Sequence, residues 1–151
     1  MKILRPLVIA LGVLVPWTAS AAEDPVHGLW LTENGKAIVE FSPCGSKTCG
    51  RMVWVANPRD DNGDLKRDVN NQDGTKRDRT LCGLPLLGGL DLAKNGAWDG
   101  GWIYNPRDGS TYGAEIEAVS GTKLKVRGYL GLSLFGKSQV WTRVGDNRGG
   151  C

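Results

Sequence analysis

The sequence is short of the residues that most enzymes and metal sites depend on. Among 151 residues there is one histidine, His27. A Ser-His-Asp or Cys-His mechanism would have to use it. It stands on a terminal arm just ahead of the first expected strand, where a solvated imidazole is the ordinary case. The Cys44-x4-Cys49 spacing has no second pair and no nearby histidine to complete a zinc site. Helical periodicity is nearly absent. There is no internal repeat and no low-complexity segment. No apolar run reaches the roughly 20 residues of a spanning helix.

The longest apolar run, residues 7–15, is interrupted only by Gly12 and follows Lys2 and Arg5. Pro16 ends it, and Thr18-Ala19-Ser20-Ala21-Ala22 then leads to Glu23-Asp24. Positive, apolar, small is the order of a cleaved signal peptide, here residues 1–22, cut after Ala21 or Ala22. The absence of cysteine at the junction gives no lipid anchor. The style is bacterial and the expected destination is the periplasm or the medium. Residues 23–151 then form one domain. Losing Lys2 and Arg5 lowers the formal charge from +3 to about +1. That total leaves no electrostatic footprint for nucleic acid or an anionic membrane.

In an oxidising compartment Cys44, Cys49, Cys82 and Cys151 suggest two disulfides out of three pairings. Cys44 and Cys49 flank a short turn at a hairpin tip and are easily joined, which leaves Cys82 for Cys151.

The chain otherwise reads as strands. Residues 28–33 and 36–42 flank the Asn34-Gly35 turn, whose type demands positive φ. Residues 49–56, 84–92 (broken at Gly88-Gly89) and 98–105 follow, with a long polar stretch at 57–80. Tyr112, Ala114, Ile116 and Ala118 alternate with Glu115 and Glu117, then Leu124 and Val126 with Lys123, Lys125 and Arg127. Strict period two with charge on one face is the mark of half-buried strands. The expected fold is all-β: one antiparallel up-and-down barrel of about eight strands, with a β-sandwich as the alternative.

Gly28-Leu29-Trp30 and Trp141-Thr142-Arg143 resemble the two ends of a lipocalin barrel, where an arginine near the close packs across the tryptophan of Gly-x-Trp. The wider pattern adds Cys49-Gly50-Arg51-Met52-Val53-Trp54, Asp68-x-x-Asn71, Arg79-x-x-Cys82-Gly83, Gly101-x-Ile103-Tyr104-Asn105-Pro106, Gly109-x-x-Tyr112 and Gly128-Tyr129-x-Gly131. This order resembles an exported bacterial family, domain of unknown function 2147. The resemblance covers about residues 25–144 and implies a lipocalin-like (calycin) barrel in the periplasm. It supplies no reaction or ligand, and Gly149-Gly150-Cys151 lies outside it.

The chemistry-bearing residues support no catalytic assignment and no cofactor. Asp60, Asp61, Asp64, Asp68, Asp73 and Asp78 crowd the long polar stretch but alternate with Lys66, Arg67, Lys76, Arg77 and Arg79. A salt-bridged, solvated loop is the first reading. Paired carboxylates for a hydrolase are a weaker one. Asp60-x-Asn62-x-Asp64 copies Ca2+-loop spacing, but Leu65 and Asn71 stand where an EF-hand wants Gly and Glu. A looser cage of Asp60, Asn62, Asp64 and Asp68 is the remaining weak metal candidate.

The favoured class is binding of a small hydrophobic or amphipathic molecule inside the barrel. Met52, Trp54, Tyr104, Tyr112, Ala114, Ile116, Leu124 and Val126 are the expected interior residues. Gly28, Trp30, Trp141 and Arg143 are the expected structural ones. Small Ala114 and Ala118 leave room for a ligand; a barrel plugged by its aromatics is the opposing reading. An envelope interaction module is the third class, resting on the apolar stretch 129–136, which seeks a protein partner or membrane if exposed.

Overall fold

The computed structural model describes residues 24–151; the expected signal segment lies outside them. Eight strands follow in order: β1 (Gly28–Leu31), β2 (Ala37–Cys44), β3 (Lys47–Val55), β4 (Pro85–Leu92), β5 (Trp98–Asn105), β6 (Ser110–Ser120), β7 (Lys123–Tyr129) and β8 (Gly136–Val144). Each pairs antiparallel with its sequence neighbour, and β8 returns to β1, so the sheet closes into an up-and-down barrel rather than a sandwich. Closure pairs Leu29–Leu31 with Thr142–Val144 and so covers part of the edges that an open sheet of these strands would present.

The hydrophobic pattern sets the register. Ile116 faces Val126 and Ala118 faces Leu124 toward the inside, while Glu117 faces Lys125 outside with 3.4 Å between their charged atoms. A one-residue slip would turn every one of these side chains to the wrong face. The lower half of the barrel is solid: Trp30, Phe41, Leu87, Leu90, Ile116 and Leu124 are all essentially inaccessible.

The base is closed by the two motifs at the chain's ends. The Trp30 indole N–H donates to the Val26 carbonyl at 2.8 Å, and the Arg143 guanidinium lies 4.2 Å from the Trp30 ring centre. The same guanidinium donates to the carbonyls of Gly121 (2.8 Å), His27 (2.9 Å) and Pro25. It thereby ties the β6–β7 turn and the N-terminal arm to β8. Gly28 has φ 115°, and a Cβ there would stand 2.7 Å from Arg143 Nη1, so only glycine lets the guanidinium reach the arm. Trp141 packs in the core, opposite Leu124 and 6.1 Å from the Phe41 ring.

Two local details differ from expectation. Strand β4 runs unbroken through Gly88-Gly89. Its glycines let the Trp102 indole lie against the outer wall; a Cβ at Gly88 would come within 2.7 Å of that ring. In β3 the register slips: Val39 pairs with Met52 but its neighbour Ile38 pairs with Trp54. Val53 is thus an extra residue, a β-bulge, which reverses the inside–outside alternation beyond it. Val55 then packs on the core and Trp54 does not. Trp54 instead faces outward beneath the Arg148 guanidinium, 4.7 Å from its ring centre.

Both disulfides are formed, Cys44–Cys49 at the β2–β3 hairpin and Cys82–Cys151. The second holds the C-terminal tail against the outside of β3.

Candidate ligand site at the barrel mouth

Four connections gather at the end opposite the Trp30 plug: residues 32–36, 56–84, 106–109 and 130–135. Between them a cleft of about 1030 Å³ descends into the barrel. Met52, Val55, Leu86, Ile103, Val126 and Trp141 form its lower walls, with Tyr112 above them. Ile116 and Leu124 sit deeper, in the solid half. The barrel is therefore plugged below and open above, and the two opposing readings of its interior each hold for one half.

Of the expected interior residues, Met52, Tyr104, Tyr112 and Val126 line the cleft, while Ala114, Ile116 and Leu124 lie in the buried core and do not line it. One expectation is corrected. Trp54 is turned out by the bulge. Tyr104 pairs with Thr111 on the face of β5 opposite Ile103, yet it is buried and lines the upper part of the cleft.

Tyr104 has a different task. Segment 56–84 folds back over it and buries Asp68 completely. The Tyr104 hydroxyl donates to Asp68 Oδ1 at 2.5 Å. Arg79 Nη2 donates to Asp68 Oδ2 at 2.7 Å, and Asn71 Nδ2 donates to both Asp68 Oδ2 and the Tyr104 oxygen at 2.8 and 3.0 Å. The motifs around residues 68–71, 79 and 104 thus meet in one buried cluster. It clamps the long segment to the wall and so positions Arg67, Val69 and Asn70 on the mouth rim. Burial alone would raise the Asp68 carboxyl, but the bonds from Arg79, Tyr104 and Asn71, with the Arg79 charge, outweigh it and hold the group below its ordinary range. Burial and the Asp68 carboxylate push the Tyr104 hydroxyl up to about 12.

That shift makes a prediction. A group whose pKa is raised by folding contributes stability that is complete below its unfolded value, near 10, and lost as pH rises toward 12. Two units correspond to roughly 2–3 kcal/mol. Urea midpoints taken on either side of this window should fall with pH in the native protein, and in Tyr104→Phe that component should be missing. An unchanged alkaline profile in the variant would remove Tyr104 from the account.

The loose calcium cage is not assembled. Asp68 is engaged by Arg79, Tyr104 and Asn71, and Asp60 Oδ1 accepts from the backbone of Asn62 and Asp64 to hold its own turn. Among the described residues no three His, Cys, Asp or Glu side chains are placed to hold a metal ion. His27 is at the opposite end, with Nε2 3.4 Å from Thr48 Oγ1.

Sequence reasoning missed the mouth's charge. Lys36, Lys66, Arg67, Arg107 and Lys137 line it against two carboxylates, Asp60 and Asp108. Asp108 is occupied: burial raises its carboxyl, but bonds from Ser110, Tyr112 and Asn105 bring it below the usual range. Arg67 leans toward Asp78 at 3.9 Å. Lys36, Lys66, Arg107 and Lys137 make no ion pair among the described residues. The near-neutral total conceals this local excess. One signal was available: inward Trp141 on a period-two strand puts Gln139 and Lys137 on the same face.

The chain matches, over residues 28–143, the family described as "Uncharacterized protein conserved in bacteria (DUF2147)". No curated protein matches it. Among solved structures it is similar to a protein of the human pathogen Helicobacter pylori described as belonging to the lipocalin family. The two are 24% identical, the likeness covers 82% of this chain and 85% of that one, and the TM-score is 0.70.

Proposed function

We propose that this chain, which belongs to the DUF2147 family, is an exported binding protein that carries or senses a small hydrophobic or amphipathic molecule. The carrying observation is the half-open barrel: a cleft of about 1030 Å³, apolar in its lower walls and charged at its rim, above a solid core. Ligand pockets of drug-sized molecules fall at roughly 300–1,000 Å³ and are mostly apolar with a few placed polar groups. An apolar tail would lie against Met52, Val55, Ile103 and Val126. A polar head would remain among the rim side chains. Export to the periplasm rests on the order of residues 1–22 and agrees with four cysteines joined in two disulfides. No residue is assigned a catalytic role.

Native mass spectrometry of the protein taken from the cell envelope tests both halves of this reading. The expected spectrum has a chain beginning at residue 22 or 23 and an adduct of lipid-like mass, displaceable by an apolar fluorescent dye. Val126→Trp would fill the cleft from within and should weaken dye binding at least about tenfold, with an overpacking cost of about 1–3 kcal/mol that leaves the barrel folded. A full-length chain would end the export reading. Absence of any adduct together with no dye response, or equal dye binding by folded Val126→Trp, would end the cleft reading.

A further inference from the structure

Most exposed large apolar side chains of the barrel stand singly, as on any protein surface. The connection between β7 and β8 is different. Leu130, Leu132, Leu134 and Phe135 are 65%, 66%, 81% and 76% exposed within six consecutive residues. Val69, 63% exposed, stands on the same mouth rim. An apolar patch of this kind marks an interaction site. It crowns the end of the molecule where Lys36, Lys66, Arg107 and Lys137 make no ion pair among the described residues.

We propose that residues 130–135 insert into a lipid bilayer and seat the barrel mouth on an anionic membrane surface. The leucines and Phe135 are exposed on the connection that holds the short Ser133–Phe135 turn, where they can enter the boundary between headgroups and acyl chains. Lys36, Lys66, Arg107 and Lys137 then face the lipid phosphates. Two carboxylates, Asp60 and Asp108, also line the mouth and keep their charge, and the cations still outnumber them. A second copy of the chain fits less well, since a two-fold contact through this tip would set the same cations against one another. The barrel wall is also thinnest beside the tip. Strand β8 meets β1 only from Thr142 to Val144, so Gly136–Trp141 have a strand partner on one side alone. Leu130, Phe135 and the rim cations also line the upper cleft, so a membrane seat and a cleft ligand would share these side chains; Leu132 and Leu134 belong to the tip alone.

Flotation of the purified protein with vesicles of phosphatidylglycerol and phosphatidylethanolamine, against vesicles of phosphatidylcholine alone, tests it. The protein should float with the anionic vesicles, more weakly as salt is raised, and poorly with phosphatidylcholine. Leu132→Asp with Leu134→Asp alters two exposed side chains, so the barrel should keep its native melting behaviour while membrane affinity falls about a hundredfold or more. Val126→Trp, with its cleft filled, should float like the native chain, which separates this outcome from failure of the cleft reading. Native protein left in the dense fraction would overturn the proposal, as would undiminished flotation of the double variant. Vesicle-free dimerisation abolished by the double variant, with no flotation of the native chain, would show that a second copy covers the tip instead.

Discussion

Asp68→Ala should destabilise the barrel by about 3 kcal/mol, at the low end of the cost of removing one member of a buried ion pair. The carboxylate is wholly inaccessible and receives hydrogen bonds from three side chains. Its loss strands them together. Arg79 is the partner that decides the magnitude: its side chain is 37% exposed, so its orphaned charge is partly rehydrated. Its Nε is already buried without a partner, which leaves little slack for further loss. For a domain of this size the melting temperature should fall by about 10 °C. The double variant Asp68→Ala with Arg79→Met should recover part of that, because an unpaired buried charge costs more than an absent pair. Acid should act in the same sense. The folded-state carboxyl lies below its ordinary value, so its contribution is complete above the unfolded value near 4 and lost as pH falls through the folded one. Urea melts across this range should be flatter in Asp68→Asn. If Asp68→Ala melts with the native protein, the cluster is decoration and segment 56–84 is held by something else.

The same cluster shows where reading the sequence worked and where it stopped. The barrel was legible because residues 112–126 alternate strictly, and because β-strand pairing between sequence neighbours is the simplest way to satisfy eight short half-buried strands. Gly28, Trp30 and Arg143 were legible through the motif and its stacking chemistry. Trp54 was not, since period two is a rule only until a bulge interrupts it. Nothing in Arg51-Met52-Val53-Trp54-Val55 marks Val53 as the extra residue; the slip emerges only when Ile38 meets Trp54 across the strands. Tyr104 is a different case: it lines the upper cleft from the opposite strand face. Alternation puts it on the outer face, and an aromatic side chain there is buried only because a polar segment far away in sequence folds over it. The aspartates of that segment read as solvated charge, and for Asp60 and Asp78 that is right. Asp68 is the exception, and what distinguishes it is contact with Arg79 and Tyr104, 11 and 36 residues on. The charged mouth was hidden by the total: five cations on one rim disappear in a sum near zero.

Cys151→Ser should be the more damaging of the two disulfide losses, although Cys151 is the last residue and lies outside the family match. The cross-link Cys82–Cys151 spans 69 residues and Cys44–Cys49 spans 5. In the chain-entropy account the first restricts the unfolded chain by about 4 kcal/mol and the second by about 2. The native state adds to the difference. Cys44 and Cys49 lie in a hairpin whose strands already pair from Ala37 through Cys44, so their separation is fixed without the bond. Residues 145–151 have no strand to belong to. Their hold on the barrel is Arg148 on the outward Trp54, with the Gly150 backbone passing close to the Val53 carbonyl. The bulge that turns Trp54 outward is thus what gives the tail a place to dock, and the disulfide is what keeps it there. Cys151→Ser should lower the melting temperature by about 15 °C and raise the solvent exposure of Trp54, read as a red shift in tryptophan emission. Cys44→Ala with Cys49→Ala should cost about half as much and leave the emission unchanged. Equal losses from the two would mean that neither the longer loop nor the docked tail adds to the effect of the bond, as when Cys82–Cys151 closes a loop already compact before folding.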